Sequence, residues 1–173
     1  MGNGRYIYKF DIKNLNLVDK VKGDVILKYD SDSKEISKLF KLGSNNGLHS
    51  NQIVVLKNGN FVVNTNSSIK QYDIKGNFIK EVTVKTWSIG AMKYSSYYDK
   101  IFIISNWGDL VIFNPQTLES VSHNEIKNIK GQCFDFAIND KGELYILTSY
   151  DLLYKVTGQD IYSLKNGALL FGN

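Results

Sequence analysis

The chain has 173 residues, of which 43% are hydrophobic and 22% charged, and its formal net charge at pH 7 is +4. This composition is that of an ordinary globular protein and excludes an intrinsically disordered chain. No apolar run reaches the roughly 18 residues that a membrane span needs. The positive charge is scattered and accompanies no groove-reading motif, so we expect neither a membrane protein nor a nucleic-acid-binding protein.

The cysteine content and the first residues of the chain indicate the cellular compartment of the protein. The single cysteine, Cys133, excludes an internal disulfide and fits a reducing compartment. The first six residues lack the apolar core of a signal peptide. The sequence therefore predicts a cytoplasmic protein. Eleven Tyr, nine Phe and a single Pro favour strands over helices.

Short apolar runs recur along the chain at a nearly constant spacing. Aligning the end of the third run of each unit puts Tyr29, Tyr72, Phe113 and Lys155 in one column, with spacings of 43, 41 and 42 residues. A period near 42 residues is typical of a four-stranded propeller blade. The sequence therefore predicts an all-β fold, a β-propeller that forms a single domain over residues 1–173. Its four blades would cover about 5–42, 51–84, 89–122 and 132–165.

The predicted strands follow in chain order, four to a unit, with an additional apolar strand at the end. The first unit has Tyr6–Phe10, Asn16–Lys20, Asp24–Tyr29 and Glu35–Phe40. The second has Gln52–Leu56, Asn60–Asn64, Ser68–Tyr72 and Phe78–Val84. The third has Gly90–Tyr94, Lys100–Ser105, Leu110–Phe113 and Leu118–Ser122. The fourth has Gln132–Ile138, Glu143–Thr148, Leu152–Val156 and Ile161–Leu164, and the extra strand is 168–171.

Turn-forming residues between these strands support the same reading. Residues 57–60 and 139–142 occupy the same place between a first and a second strand, and both contain Asn and Gly. These residues tolerate the positive φ angles that tight hairpins require. Asp73 and Asn114 begin equivalent turns between third and fourth strands, where such a side chain bonds the backbone two residues on.

An open arc of four blades would expose an apolar sheet face at each end, which soluble monomers normally avoid. Three arrangements solve this problem. The blades close into a four-bladed ring, two copies join as a homodimer of half-rings with eight blades, or the chain is a piece of a longer protein. The sequence leaves all three open and places the closed ring first.

Several motifs carry a family resemblance. Residues 59–64, 69–73 and 76–81 resemble an NHL-type propeller repeat, and 108–118 resemble the hairpin of YVTN and PQQ-like propeller repeats. The resemblance implies a scaffold used mostly for binding, with some lactonases, lyases and dehydrogenases among its members. Asn64 stands where NHL repeats most often carry Asp. An activity taken from this resemblance is fold analogy and nothing more.

In a propeller, the loops after second and fourth strands share one face, where ligands usually bind. Here these loops contain both tryptophans, both histidines and several amides. The predicted binding residues are His49, Asn64, Trp87, Asn106, Trp107, His123 and Tyr150. Aromatic rings among amides suit a protein segment or a glycan. The sequence thus favours a non-catalytic binding or scaffold protein, although the tryptophans would equally fill gaps between neighbouring blades.

Two other functions stay open. One is a small hydrolase or lyase resembling the gluconolactonase group, with a divalent cation held in the channel by Asp135. It is disfavoured because the predicted inner strands supply few carboxylates. Two histidines are also too few for a typical zinc site, and no nucleophile elbow or phosphate loop occurs. No other cofactor is expected. The second is a structural subunit of a larger assembly, whose exposed faces dock another chain.

Overall fold

The structure is a computed structural model that describes residues 6–10, 17–22, 25–29, 33, 36–41, 52–65, 67–86 and 88–171. Two compact units are distinguished, one of residues 1–48 and 74–77 and one of residues 49–73 and 78–173. Antiparallel sheets account for every strand that is described, so the all-β prediction is confirmed. The assignment of residues 1–173 to a single domain stays a prediction.

The strands are arranged in five sheets. In the first unit, β1 (Tyr6–Phe10) pairs with β2 (Leu17–Lys22), and β3 (Val25–Tyr29) pairs with β4 (Ile36–Lys41). The first four-stranded sheet consists of β5 (Ile53–Val55), β6 (Phe61–Asn64), β7 (Ser68–Tyr72) and β8 (Phe78–Thr83). The middle sheet consists of β9 (Ala91–Ser95), β10 (Lys100–Ile104), β11 (Asp109–Phe113) and β12 (Ser120–Glu125). The last sheet consists of β13 (Cys133–Ile138), β14 (Leu144–Thr148), β15 (Leu152–Thr157) and β16 (Asn166–Phe171).

The prediction of a β-propeller with four four-stranded blades, closed as a ring or forming half of an eight-bladed assembly, is wrong. Only three four-stranded sheets occur among the described strands, and none of the five sheets closes on itself. The strands of the first repeat form two separate two-stranded sheets. The repeat period specifies antiparallel meanders, and meanders also build layered folds. The three larger sheets form such a layered, sandwich-like stack.

The middle sheet is the centre of this stack and is buried on both faces. Phe102 and Ile112 face the last sheet within one apolar cluster, whereas Ile103 and Phe113 face the first sheet within another. All four side chains are at most 1% exposed. Strands buried on both faces read as continuous apolar runs, and this is how β10 and β11 read in the sequence.

Polar contacts also join neighbouring sheets at the edge that holds the β9–β10 and β13–β14 turns. The Gln71 side-chain amide donates to the Pro115 carbonyl at 3.2 Å, joining the first sheet to the middle one. The Tyr98 hydroxyl donates to the Gly142 carbonyl at 2.7 Å, joining the middle sheet to the last one. Gly142 has φ +78, and a Cβ there would collide with the Tyr98 ring, so the contact requires glycine.

The fourth strand of the last sheet lies later in the chain than predicted. Residues Ile161–Ser163, predicted as a strand, form a 3₁₀ turn. The turn is fixed by Asp160, whose carboxylate accepts from the amides of Tyr162 and Ser163 at 2.8 and 3.0 Å. The predicted extra strand 168–171 instead lies within β16, which pairs with β15. The capped turn thus moves the start of the strand from the predicted Ile161 to Asn166.

Hairpin registers show which residues of the middle and last sheets are equivalent. Ile101 opposes Phe113 in the middle sheet, and Leu144 opposes Val156 in the last sheet. Phe113 and Val156 both lie on the face that packs against the preceding sheet, so Val156 is the equivalent of Phe113 and the repeat alignment on Lys155 is one residue off. This shift decides which face of the last sheet each side chain occupies, because side chains alternate along a strand.

Candidate functional site

The turn between β10 and β11 is built around one buried serine. Ser105 is fully buried, and its hydroxyl oxygen accepts from the amides of Trp107 at 3.2 Å and Asp109 at 2.9 Å. The hydroxyl donates to Asp109 Oδ2 at 3.0 Å. Gly108 completes the turn with φ +93, a conformation that favours glycine. The turn therefore holds Trp107 in place while leaving its side chain 65% exposed.

A cleft of about 440 Å³ lies beside this turn, lined by Lys85, Thr86, Asp109 and His123. We call it the Lys85 cleft. His123 is on β12 two pairs along from Asp109, and its Nε2 is 3.7 Å from Asp109 Oδ1. The cleft thus contains an acid and an imidazole on the middle sheet, and an ammonium and a hydroxyl on the segment that follows β8.

The loop between β14 and β15 presents a second exposed aromatic side chain. Tyr150 is 79% exposed and has φ 70, and the next residue, Asp151, has φ 56. Non-glycine residues seldom adopt this left-handed conformation. Ser149 fixes the loop, because its hydroxyl accepts from the Gln132 amide at 2.9 Å and its amide donates to the Gln132 carbonyl at 2.8 Å.

The segment leading into β13 connects the two aromatic loops. The Cys133 amide donates to the Asn106 carbonyl at 3.0 Å, so this segment contacts the Trp107 turn. At its other end, a Cβ on Gly131 would lie 3.2 Å from the Tyr150 ring. We call residues 105–108, 131–133 and 149–151 the loop edge. Both exposed aromatic residues therefore flank one three-residue segment.

Two predicted amide side chains each lie against backbone just before the first strand of a sheet. Asn64 is only 2% exposed, and its Oδ1 accepts from the Gln52 amide at 2.9 Å, which holds the start of β5. The Asn106 side chain lies against Gly90, where a Cβ would overlap its Oδ1. The structure thus brings Asn106, Trp107 and Tyr150 to the loop edge and His123 to the Lys85 cleft.

The remaining predicted residues lie elsewhere. His49 and Trp87 are outside the described residues, so their place in the binding face stays a prediction. Asp135 lies on β13 and forms an ion pair with Lys93 at 3.0 Å. No group of three or more His, Cys, Asp or Glu side chains that could hold a metal ion is found in the described part of the chain. A channel cation bound by Asp135 therefore stays a prediction as well.

Sequence reasoning missed Lys85 and Thr86. They directly precede Trp87, but a single lysine followed by a threonine forms no recognisable motif. Cys133, in contrast, behaves as expected for a small apolar residue. It is 1% exposed, and burial, with the charge of Asp109, raises the pKa of its thiol to about 11. Such a thiol is a poor nucleophile near neutral pH.

Comparison with known proteins identifies the fold alone. No protein-family model matches the chain, and no curated protein matches it. A solved structure of a protein of unknown function from Bacteroides caccae is similar, with 16% identity and a TM-score of 0.61 over 87% of this chain. This chain spans about half, 54%, of that protein. The resemblance to NHL, YVTN and PQQ-like repeats stays a prediction.

Over the ranges that the structure describes, no helix is long and apolar enough to cross a bilayer.

Proposed function

We propose that this chain is a non-catalytic binding protein whose loop edge holds an extended segment of another protein. One observation carries the proposal. Trp107 and Tyr150 are exposed on two loops of neighbouring sheets, and hydrogen bonds to Ser105 and Ser149 fix those loops. Rigid aromatic side chains at a surface supply contact area with little loss of side-chain entropy.

Loop composition favours a protein ligand over a glycan. The loops read Ser-Asn-Trp-Gly at 105–108 and Ser-Tyr-Asp at 149–151. Tyr, Ser, Gly and Asn are the residues that antibody loops use most, with Trp at positions of high binding energy. Their placement on loops of a rigid β scaffold is also typical of binding surfaces.

Backbone conformation at Tyr150 adds support. Two consecutive non-glycine residues with positive φ, Tyr150 and Asp151, cost on the order of 1–3 kcal/mol each. Glycine would adopt the same conformation at little cost. A tyrosine kept in a strained loop with its ring in solvent is better explained by contact with a ligand than by stability of the fold.

Selection from a displayed library of random dodecapeptides tests the proposal. We expect the wild-type chain to capture peptides, and Trp107→Ala and Tyr150→Ala to weaken their binding at least tenfold, about 1.4 kcal/mol. Both variants should melt like the wild type, since the side chains are exposed. Tyr162→Ala, which removes a tyrosine that is 50% exposed and is not part of the loop edge, should bind normally.

Two results would contradict the proposal. One is peptide capture that is unchanged in Trp107→Ala. The other is the absence of selected peptides together with Trp107-dependent binding to a glycan array, which would assign the loop edge to a glycan.

A second candidate function, a structural subunit of a larger assembly, is favoured by the end of the last sheet. Leu169, Leu170 and Phe171 on the edge strand β16 are all more than half exposed. Light scattering of the purified chain should then give a multiple of the monomer mass, and Phe171→Asp should reduce it. We also propose the cytoplasmic location that the single cysteine predicts.

A further inference from the structure

Resting on this proposed function, we propose that the bound protein segment carries an aspartate or glutamate whose carboxylate lies in the Lys85 cleft beside the Lys85 ammonium. The cleft borders the turn that presents Trp107, because Asp109 lies two residues after Trp107 and lines the cleft. A segment packed on Trp107 therefore passes within reach of the cleft. Its volume of about 440 Å³ is large enough for one side chain and several waters.

Lys85 is the accessible charge of the cleft. Three other lysines of this unit, Lys70, Lys93 and Lys155, are each paired with a carboxylate. Lys85 is exposed, and no carboxylate lies within ion-pair distance of it among the residues described. An acidic ligand group would supply that missing partner without breaking an existing ion pair.

The acid of the cleft, in contrast, is already engaged by its own sheet. Asp109 Oδ2 accepts the Ser105 hydroxyl at 3.0 Å, and Oδ1 faces His123 Nε2 at 3.7 Å. The Asp109 side chain is only 25% exposed. Its charge is therefore held at the wall of the cleft, and the Ser105 hydroxyl and the His123 ring already occupy part of its hydrogen-bonding surface.

Two further features favour an acidic segment. Thr86 lines the same cleft, and its hydroxyl donates to the Ser88 carbonyl at a long 3.3 Å. By giving up this contact, the hydroxyl becomes a second donor for a ligand carboxylate. The whole chain has a formal charge of +4, which attracts acidic partners at long range.

A double-mutant cycle on a selected dodecapeptide tests this inference. We expect selected peptides to be enriched in Asp or Glu at one position, and replacement of that residue by Asn or Gln to weaken wild-type binding about fivefold. The same peptide change should have no effect on Lys85→Ala. The control Lys141→Ala, which removes an exposed lysine at the opposite edge, should retain the fivefold dependence.

The outcomes separate the two proposals. Selected peptides that require Trp107 but show no acidic preference, or an acidic preference that persists in Lys85→Ala, would overturn the inference and leave the proposed function standing. Selected peptides that bind independently of Trp107 would overturn the proposed function. Coupling between Lys85 and the peptide acid, with Trp107 dependence, supports both.

Discussion

The middle sheet and the last sheet share strand order and hairpin connections but differ on one face. In the middle sheet, Phe102 and Ile112 lie fully buried against the last sheet. The equivalent positions in the last sheet hold Tyr145 and Lys155, which point away from the middle sheet. The same meander is therefore an internal layer in one case and a layer with a polar surface in the other.

The polar face of the last sheet is organised by one carboxylate. Glu143 accepts hydrogen bonds from Lys155, from Asn139 at 2.7 Å and from the Tyr145 hydroxyl at 3.0 Å. Lys155 also lies over the Tyr145 ring, 6.0 Å from its centre. Tyr145 and Lys155 of this network occupy the positions that Phe102 and Ile112 hold in the middle sheet. The polar outer face of the last sheet thus ends the apolar stack among the described sheets, as polar terminal repeats do in other stacked folds.

Exchanging the two faces should have the largest effect. Ile112→Lys places an unpaired ammonium between the middle and last sheets, so we expect a loss of at least about 4 kcal/mol in the free energy of unfolding. Denaturant unfolding followed by tryptophan fluorescence measures it. The reverse exchange, Lys155→Ile, should stay within about 1 kcal/mol of wild type, because exposed ion pairs contribute little. Similar losses in both variants would show that the faces do not differ in this way.

Truncation should give the next largest effect. Phe102→Ala leaves a cavity in the apolar cluster, so we expect a loss of about 3–5 kcal/mol. Leu147→Ala, on the outer face of the last sheet, removes a side chain that is 43% exposed and should cost less than about 1.5 kcal/mol. Urea titrations of both variants and the wild type provide the comparison. If Leu147→Ala lost as much free energy of unfolding as Phe102→Ala, the outer face of the last sheet would have to be covered by other residues.

The smallest expected effect concerns pH. The hydrogen bond from Lys155, followed by those from Asn139 and Tyr145, lowers the pKa of Glu143 from 4.5 to about 2. The stabilisation by this carboxylate is therefore present above pH 4.5 and is lost as the pH falls toward 2. Thermal unfolding should be less steeply pH-dependent over that window in Glu143→Gln, and the difference should shrink in high salt. Identical pH profiles for the wild type and Glu143→Gln would show that the Glu143 network does not stabilise the last sheet.

Much of the local structure could be predicted from the sequence. Strands such as Ser68–Tyr72 and the middle-sheet hairpin follow from apolar runs between turn residues, because neighbouring residues are sufficient to specify a tight hairpin. The strand predicted at Ile161–Leu164 was wrong, since the Asp160 cap competes there with sheet pairing. The propeller was wrong because a repeat period does not specify whether successive sheets close on one another.

The site was only partly predictable. Trp107 and Tyr150 could be chosen because aromatic residues in short loops between strands tend to be exposed. Asn64 occurs in a similar sequence context but is buried against Gln52. Lys85 enters the candidate site through its position between two sheets, and no local pattern identifies such a position.

The sequence by itself determined that this chain is all-β, where most hairpins turn, and which loops carry aromatic residues, because those properties depend on contacts a few residues apart. The tertiary structure decided which faces are buried, that the first repeat divides into two sheets, and that Lys85 and His123 line one cleft. These properties depend on pairing and packing between residues far apart in the chain, whose free energies the local pattern does not contain.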